Sequence, residues 1–288
     1  MSDLATPCLV IGARGMLGHD LCSTLKQVGV RTVEMDIPEV DICNLSLVRS
    51  IFEKLKPETV VNTAALTDVD GCETQVETAF RVNAVGPENL AIVARESGSY
   101  LLHISTDYIF DGSKGEPYKE NDSPNPLGIY GKSKLEGEVR LQKVLLDNYC
   151  IVRTQWLYGT NGKNFVDTII GAAKRNKVLK IVDDQFGAPT YTVDLATAIV
   201  KLWQLRAAGV FHVTNSGITT WSDFASRILN LVGLSDITIE NIKTTQLGRP
   251  APRPLYSVLD NSKFENLTGI KMPHWEDAVE KYLCGRTV

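Results

Sequence analysis

Short, uniformly apolar runs alternate with longer segments of helical periodicity through the first half of the chain. Cys8-Leu-Val-Ile-Gly12 reads as a buried strand, and Met16 to Val28 carries apolar residues at the spacing of one helix face. Arg31 to Met35 predicts a second strand ending at Asp36, Leu45 to Leu55 a helix, and Thr59 to Asn62 a third strand. Val76 to Ser97 predicts one long helix or two abutting ones, and Tyr100 to Ser105 a fourth strand. Pro87 has no backbone N–H to donate, so a break or a fresh helix start is expected there. Strands that are apolar on both faces and alternate with helices build a parallel sheet covered on both sides. Right-handed crossovers then give an α/β fold of the doubly wound Rossmann type.

Between Phe110 and Gly128 the chain is rich in Gly, Pro, Asp, Asn and Ser, the composition of a long loop. Loops of that length in compact domains are usually functional or disordered, and this one lies between the fourth strand and the next helix. Tyr149 to Thr154 predicts another strand, after which the alternation loosens. Asn164 to Asn176 and Val193 to Leu205 have helical spacing, and Val210 to Thr214 looks like a strand. Ser222 is expected to cap a helix running to Val232, and Trp275 to Leu283 predicts a last helix. The run Arg249-Pro-Ala-Pro-Arg-Pro254 is held extended by its prolines. Residues 1–158 therefore read as a Rossmann domain and 159–288 as a smaller, partly interleaved lobe with segments returning to the first domain. No internal repeat or low-complexity tail is present.

Composition narrows the class. With 43% apolar and 22% charged residues in 288, the chain has the make-up of a soluble globular protein. The net charge of −4 and scattered Lys and Arg argue against nucleic acid as a partner. No run approaches the roughly 20 apolar residues of a membrane span. Met1-Ser-Asp-Leu-Ala-Thr-Pro7 lacks the basic and apolar regions of a secretory signal, so a cytoplasmic location is expected. The six cysteines, Cys8, Cys22, Cys43, Cys72, Cys150 and Cys284, show no C-x-x-C spacing and read as reduced, mostly buried thiols rather than a metal or redox site.

The glycines Gly12, Gly15 and Gly18 fall in a predicted strand-to-helix turn, Gly12-Ala-Arg-Gly15-Met-Leu-Gly18. Glycine permits the tight turn and lets backbone N–H groups, including those of Met16 and Leu17, approach a pyrophosphate. The helix that follows presents its positive end to that charge. Glycines also gather in such turns for packing alone. Asp36, at the end of the second strand, can accept hydrogen bonds from an adenosine ribose, which favours NADH. Arg14, inside the turn, can approach a ribose 2′-phosphate, which favours NADPH. Asp41 and Ile42 are candidates to flank the adenine. Asn62-Thr-Ala64-Ala65 offers a floor of small residues for the dinucleotide.

Tyr130 and Lys134 lie one helical turn apart and share a face. A phenol titrates near 10, and a neighbouring ammonium lowers that value toward the range of efficient acid–base catalysis. The lysine can also bind a nicotinamide ribose, and the hydroxyl of Ser105 or Thr106 can meet the oxygen of a substrate carbonyl. The plain alternative for Tyr130 and Lys134 is a surface pair.

These residues resemble the extended short-chain dehydrogenase/reductase superfamily and, within it, the dTDP-4-dehydrorhamnose reductase family. The matching stretches are Gly12 to Gly18, Asn62 to Asp70, Val82-Asn-Ala-Val-Gly-Pro87, Ser105-Thr-Asp-Tyr-Ile-Phe-Asp-Gly112, Tyr130 to Gly137, Arg153 to Tyr158 and Asp184 to Thr190. They span almost the whole chain in the family's order. The resemblance implies reduction of the 4-keto group of a dTDP-linked 6-deoxy sugar, with Thr106, Tyr130 and Lys134 as the catalytic trio. It places Thr67, Asp68, Val69, Asp70, Asp107, Tyr108 and Trp156 around the sugar, Thr67 also lying by the cofactor. Trp156 has plain core as its alternative. Arg253, in the proline-stiffened loop, is expected to meet phosphate, or else to be a surface arginine. NADPH with NADH also accepted is implied. Mg²⁺ and a homodimer occur in some members, but no carboxylate cluster in this sequence specifies a metal. Asp107-Tyr108 lacks the Asp-Glu pair that related dehydratases need. An epimerase of the same superfamily and a non-catalytic NADP-binding regulatory subunit are the alternatives.

Overall fold

A computed structural model describes residues 7–285. The N-terminal stretch considered above for a signal thus lies, but for Pro7, outside the described residues. The first half runs β1 (Cys8–Ile11), α1 (Met16–Gln27), β2 (Thr32–Met35), α2 (Leu45–Leu55), β3 (Thr59–Asn62), α3 (Val69–Thr74), α4 (Val76–Phe80), α5 (Gly86–Ser97), β4 (Tyr100–Thr106), α6 (Ile129–Val144) and β5 (Tyr149–Thr154). The second half runs β6 (Leu157–Tyr158), α7 (Phe165–Ala173), β7 (Val178–Val182), β8 (Phe186–Gly187), β9 (Thr190–Tyr191), α8 (Thr192–Gln204), β10 (Gly209–His212), β11 (Thr219–Thr220), α9 (Trp221–Leu231), β12 (Thr238–Ile242), α10 (Ser262–Thr268) and α11 (Trp275–Cys284).

Six strands form one all-parallel sheet in the order β10-β5-β4-β3-β1-β2. Side chains alternate across it. Leu9, Ile11, Val60, Leu101 and Ile151 pack with residues of α2, α5 and α6, while Cys8, Val10, Val61, Leu102 and Val152 pack with α1 and α8. Both faces are buried, which is why these strands read as continuous apolar runs. The strand order reverses between β1 and β3, and in such sheets the crevice beyond the strand C-termini at the reversal is where ligands bind.

α8, β10 and α10 return to this sheet and its core, so the second half is interleaved with the first. A second core is built by α7, α9, α11 and β7, around Val166, Ile169, Phe224, Ile228 and Val279 with the rings of Tyr158, Tyr191 and Tyr282. The Phe110 to Gly128 segment is anchored by a small core of its own: Phe110 stacks on Tyr118 at 4.2 Å, with Ile109 and Leu259 beside them.

Several local expectations are revised. The cap of α9 is Thr220, whose hydroxyl accepts from the Asp223 N–H, and Ser222 lies inside the helix. Pro87 opens α5 after a π-helical turn, Arg81–Val85, so the long stretch is helical throughout but changes its winding there. The short helices α3 and α10 and the parallel pair β7–β12 carried no clear periodic signal. That pair joins strands far apart in sequence, a partnership visible only in three dimensions.

Candidate active site

The strand ends align at the reversal, with Ile11 beside Asn62 and Asn62 beside His103, and β4 runs on to Thr106. Gly12 follows β1 with φ +81°, and a Cβ there would stand 2.6 Å from the Ala64 nitrogen. A Cβ on Gly18 would stand 2.1 Å from the Gly12 carbonyl oxygen. These two glycines are demanded by the protein's own packing. Gly15 differs: it is exposed, it is the N-cap of α1, and no side chain caps the helix there. The free amides of the first turn suit a pyrophosphate. Leu17 is buried in the core, so only its backbone is at hand, and Met16 is half-buried against Gly159 and Gly162. Ala64 and Ala65 are half-buried just past β3.

Arg14 and Asp36 meet. The Asp36 carboxylate accepts the Arg14 backbone N–H at 3.0 Å and the Ile37 N–H at 2.8 Å. The exposed Arg14 guanidinium donates to the Ile37 carbonyl at 2.8 Å and pairs with Glu39. Asp41 is exposed and accepts the Cys43 N–H at 2.9 Å. Ile42 is buried against Gly86, and its carbonyl accepts from the Asn89 side chain at 2.9 Å.

Tyr130 lies in the first turn of α6, which close contacts hold over the end of β4. A Cβ on Gly131 would fall 2.1 Å from the Tyr108 carbonyl oxygen, and one on Gly137 2.1 Å from that of Asn83. Glu73 accepts the Ile129 N–H at 2.8 Å. Asn83, in the π-helical turn, donates to the Ser133 hydroxyl at 3.1 Å, and Ser133 donates to the Tyr130 carbonyl at 2.9 Å. Asn83 also bonds both backbone groups of Leu66, so the segment after β3 and α6 share one clamp. Sequence reasoning missed Asn83, Glu73 and His103 as side chains that shape the site and named Asn62 only as part of the cofactor floor; an Asn inside a helical, largely apolar stretch was the available signal.

The Thr106 hydroxyl donates to Asp107 at 3.0 Å and accepts the Tyr108 N–H at 3.2 Å. The Tyr108 and Tyr130 rings meet edge to face at 5.5 Å. Burial pushes the Asp107 carboxyl up to about 7, opposed by the Ser257 and Thr106 hydroxyls. Lys134 is 2% exposed, donates to the Ile104 carbonyl at 2.7 Å, and is brought down to about 8 by burial, against the pull of Glu138. Burial also raises the Tyr130 phenol above its ordinary value, with the Thr106 hydroxyl opposing. The expected lowering of the phenol by the ammonium is therefore not found. Desolvation is the largest influence on the phenol, and Lys134 is turned to the strand backbone.

On the other side of the cleft, Asp70 bonds Arg253 at 3.0 Å, Arg249 at 3.1 Å and the Ala251 N–H at 3.2 Å, which docks the proline loop on α3. Those bonds hold the Asp70 carboxyl below the usual range despite the opposing effect of its burial. Burial raises the Tyr108 phenol, and Arg253 opposes the rise. Asp68 caps α3, accepting the Gly71 N–H at 3.0 Å; Thr67 is exposed and Val69 half-buried. Trp156, with φ +49°, is half-buried and stacks on Trp221 at 3.6 Å. Ser105 Oγ, Thr154 Oγ1 and Gln155 Nε2 are buried without a hydrogen-bond partner at the ends of β4 and β5, the kind of unpaired polar group that clusters at functional sites. Among the described residues no group of three or more His, Cys, Asp or Glu side chains is placed to hold a metal.

A sheet reversal bearing a glycine turn, beside a strand-end threonine and a Tyr–Lys helix, is the arrangement of an extended short-chain dehydrogenase/reductase. Residues 6–287 match the family described as RmlD substrate binding domain. A dTDP-4-dehydrorhamnose reductase of Streptomyces griseus is 40% identical, with 96% of this chain and 94% of that protein covered. The spore coat polysaccharide biosynthesis protein SpsK of Bacillus subtilis is 41% identical, with 98% of each covered. A crystal structure of dTDP-4-dehydrorhamnose reductase from Bacillus anthracis, in complex with NADP, superposes with a TM-score of 0.94 at 35% identity, covering 98% of this chain and 99% of that one. The chain belongs to the dTDP-4-dehydrorhamnose reductase family.

Proposed function

We propose that the chain reduces the 4-keto group of dTDP-4-dehydro-L-rhamnose to give dTDP-L-rhamnose, using NADPH by preference and accepting NADH. The observation that carries this reading is the convergence of Thr106, Tyr130 and Lys134 at the end of β4, on the same sheet edge as the uncapped start of α1. The site fits a dinucleotide: Gly15 and the first-turn amides of Met16, Leu17 and Gly18 take the pyrophosphate, and Ala64, Ala65 and Thr67 line the floor. Arg14, Asp36, Asp41 and Ile42 border the adenosine. Arg14 supports NADPH, and the engagement of Asp36 with two backbone N–H groups fits tolerance of either cofactor. When bound, the nicotinamide supplies the hydride for the carbonyl carbon.

Tyr130, a phenol that holds its proton at neutral pH, gives that proton to the carbonyl oxygen. Thr106 hydrogen-bonds that oxygen as charge builds on it. Lys134 fixes the cofactor ribose and stabilises the phenolate that Tyr130 becomes. Val69, Asp70, Asp107, Tyr108 and Trp156 surround the sugar, and Arg253, its guanidinium held by Asp70 and the Ala251 carbonyl, is the candidate partner of a phosphate oxygen. We assign the nucleotide side of the site chiefly to the lobe over 159–288. Six unpaired cysteines fit a reducing, cytoplasmic setting. Purified protein given dTDP-4-dehydro-L-rhamnose should consume NADPH absorbance and form dTDP-L-rhamnose; binding of NADPH without consumption would leave a regulatory subunit in its place.

A further inference from the structure

Behind Lys134 lies a chain of buried polar contacts that the roles above leave unused. Asn62 ends β3 with 1% exposure, and His103 stands beside it in register on β4 with 0%. Asn62 Oδ1 accepts the Ala64 N–H at 3.1 Å, which turns its Nδ2 toward His103 Nδ1, also at 3.1 Å. An amide nitrogen only donates, so Nδ1 must accept, and the proton of a neutral ring is left on Nε2. Burial, with Lys134 nearby, holds the ring well below the ordinary imidazole range, so it is neutral at working pH. Nε2 faces Lys134 Nζ at 3.4 Å. An N–H cannot accept from an ammonium, which has three donors of its own, and the Ile104 carbonyl takes one of them.

We propose that His103, locked by Asn62 with its proton on Nε2, is a positioning residue: it denies Lys134 a second acceptor in the core and leaves the remaining N–H groups for Tyr130 and the cofactor ribose. The inference rests on the reductase reading of Lys134. It also links the Asn62 to Ala65 floor and the lysine into one network. The charged and titratable groups that act on Lys134 are Glu138 from α6 and His103 from β4, with Tyr130 one turn before it on α6. Glu138 is held by Arg153 of β5 at 2.7 Å, and Asp107 and Cys72 act on Tyr130.

The test reads the ring and the lysine directly. In ¹⁵N-histidine-labelled protein, His103, assigned by loss of its signals in His103→Phe, should carry its proton on Nε2. Asn62→Asp keeps an acceptor for the Ala64 N–H but offers the ring a second acceptor. The proton then moves to Nδ1 and the Nε2 lone pair turns to Lys134. The NMR titration of Lys134 should rise by about one pH unit, and the alkaline limb of kcat/KM should move with it. Adding His103→Phe to Asn62→Asp should cancel most of that displacement. A merely structural role would lower activity without moving either titration. A wild-type ring protonated on Nδ1, or an Asn62→Asp protein whose Lys134 titrates as wild type, overturns the proposal. If Asn62→Asp does not fold, the wild-type ring spectrum decides alone. If ring and lysine behave as stated while the wild type oxidises no NADPH with the sugar nucleotide, the network stands and the functional reading falls.

Discussion

At the glycine turn the backbone itself fills the space: atoms of Gly12, Ala13 and Ala64 stand where Cβ atoms on Gly18 or Gly12 would go. Backbone comes equally close to α6 at Gly131 and Gly137, but here polar side chains fill the space as well, with Lys134, His103, Asn83 and Ser133 each buried and hydrogen-bonded. The first region is held by close packing of backbone, and the second also by hydrogen bonds among buried polar side chains. Errors in the first should therefore appear as lost stability, and errors in the second as lost or pH-shifted chemistry.

Replacing Tyr130 with Phe is expected to have the largest effect, lowering turnover by roughly 10²-fold or more with cofactor affinity retained. Steady-state rates and NADPH titration of the purified variant check it, and unchanged turnover would remove the phenol from the mechanism. Next comes Gly18→Ala, whose added carbon meets backbone and should cost about 2 kcal/mol in denaturant unfolding. Gly15→Ala sharpens the comparison, because its nearest neighbour would be the Gly12 oxygen at 3.3 Å. Stability should fall by no more than about 0.5 kcal/mol, whereas NADPH affinity should fall several-fold. Equal destabilisation by the two variants would erase the distinction between them.

Asp107→Asn is expected to change the pH dependence of stability. With the folded-state carboxyl at about 7, well above its usual range, the native protein keeps a proton there that the unfolded chain has already released. This group's contribution to stability is present in full below about pH 4 and declines as pH rises toward 7. The variant should lack that decline when unfolding free energies are compared across the window; parallel pH profiles for the two proteins would contradict the burial of the carboxyl.

The doubly wound half was legible because each sheet strand buries both faces and each covering helix buries one, so period and composition agree. Gly12, Gly15, Gly18, Tyr130 and Lys134 stood out in the sequence only as a set, because a glycine turn or a Tyr–Lys pair alone is common. The lobe was less so. The two-residue strands and the β7–β12 pair owe their existence to partners far along the chain, and Thr220 displaced Ser222 as a cap although both are hydroxyl residues in the right neighbourhood.

Residue order alone determined the sheet strands and most covering helices of the first half, where glycines gather in the turn after β1, and which phenol and amine share a helix face, because these depend on neighbours a few positions away. Only the tertiary structure decided that Gly12 and Gly18 are required by packing and that Arg14 and Asp36 meet. It also decided that burial, rather than the adjacent ammonium, dominates the titration of Tyr130. Desolvation and close approach are properties of the surroundings, and those are assembled from β3, β4, α3 and α6 together.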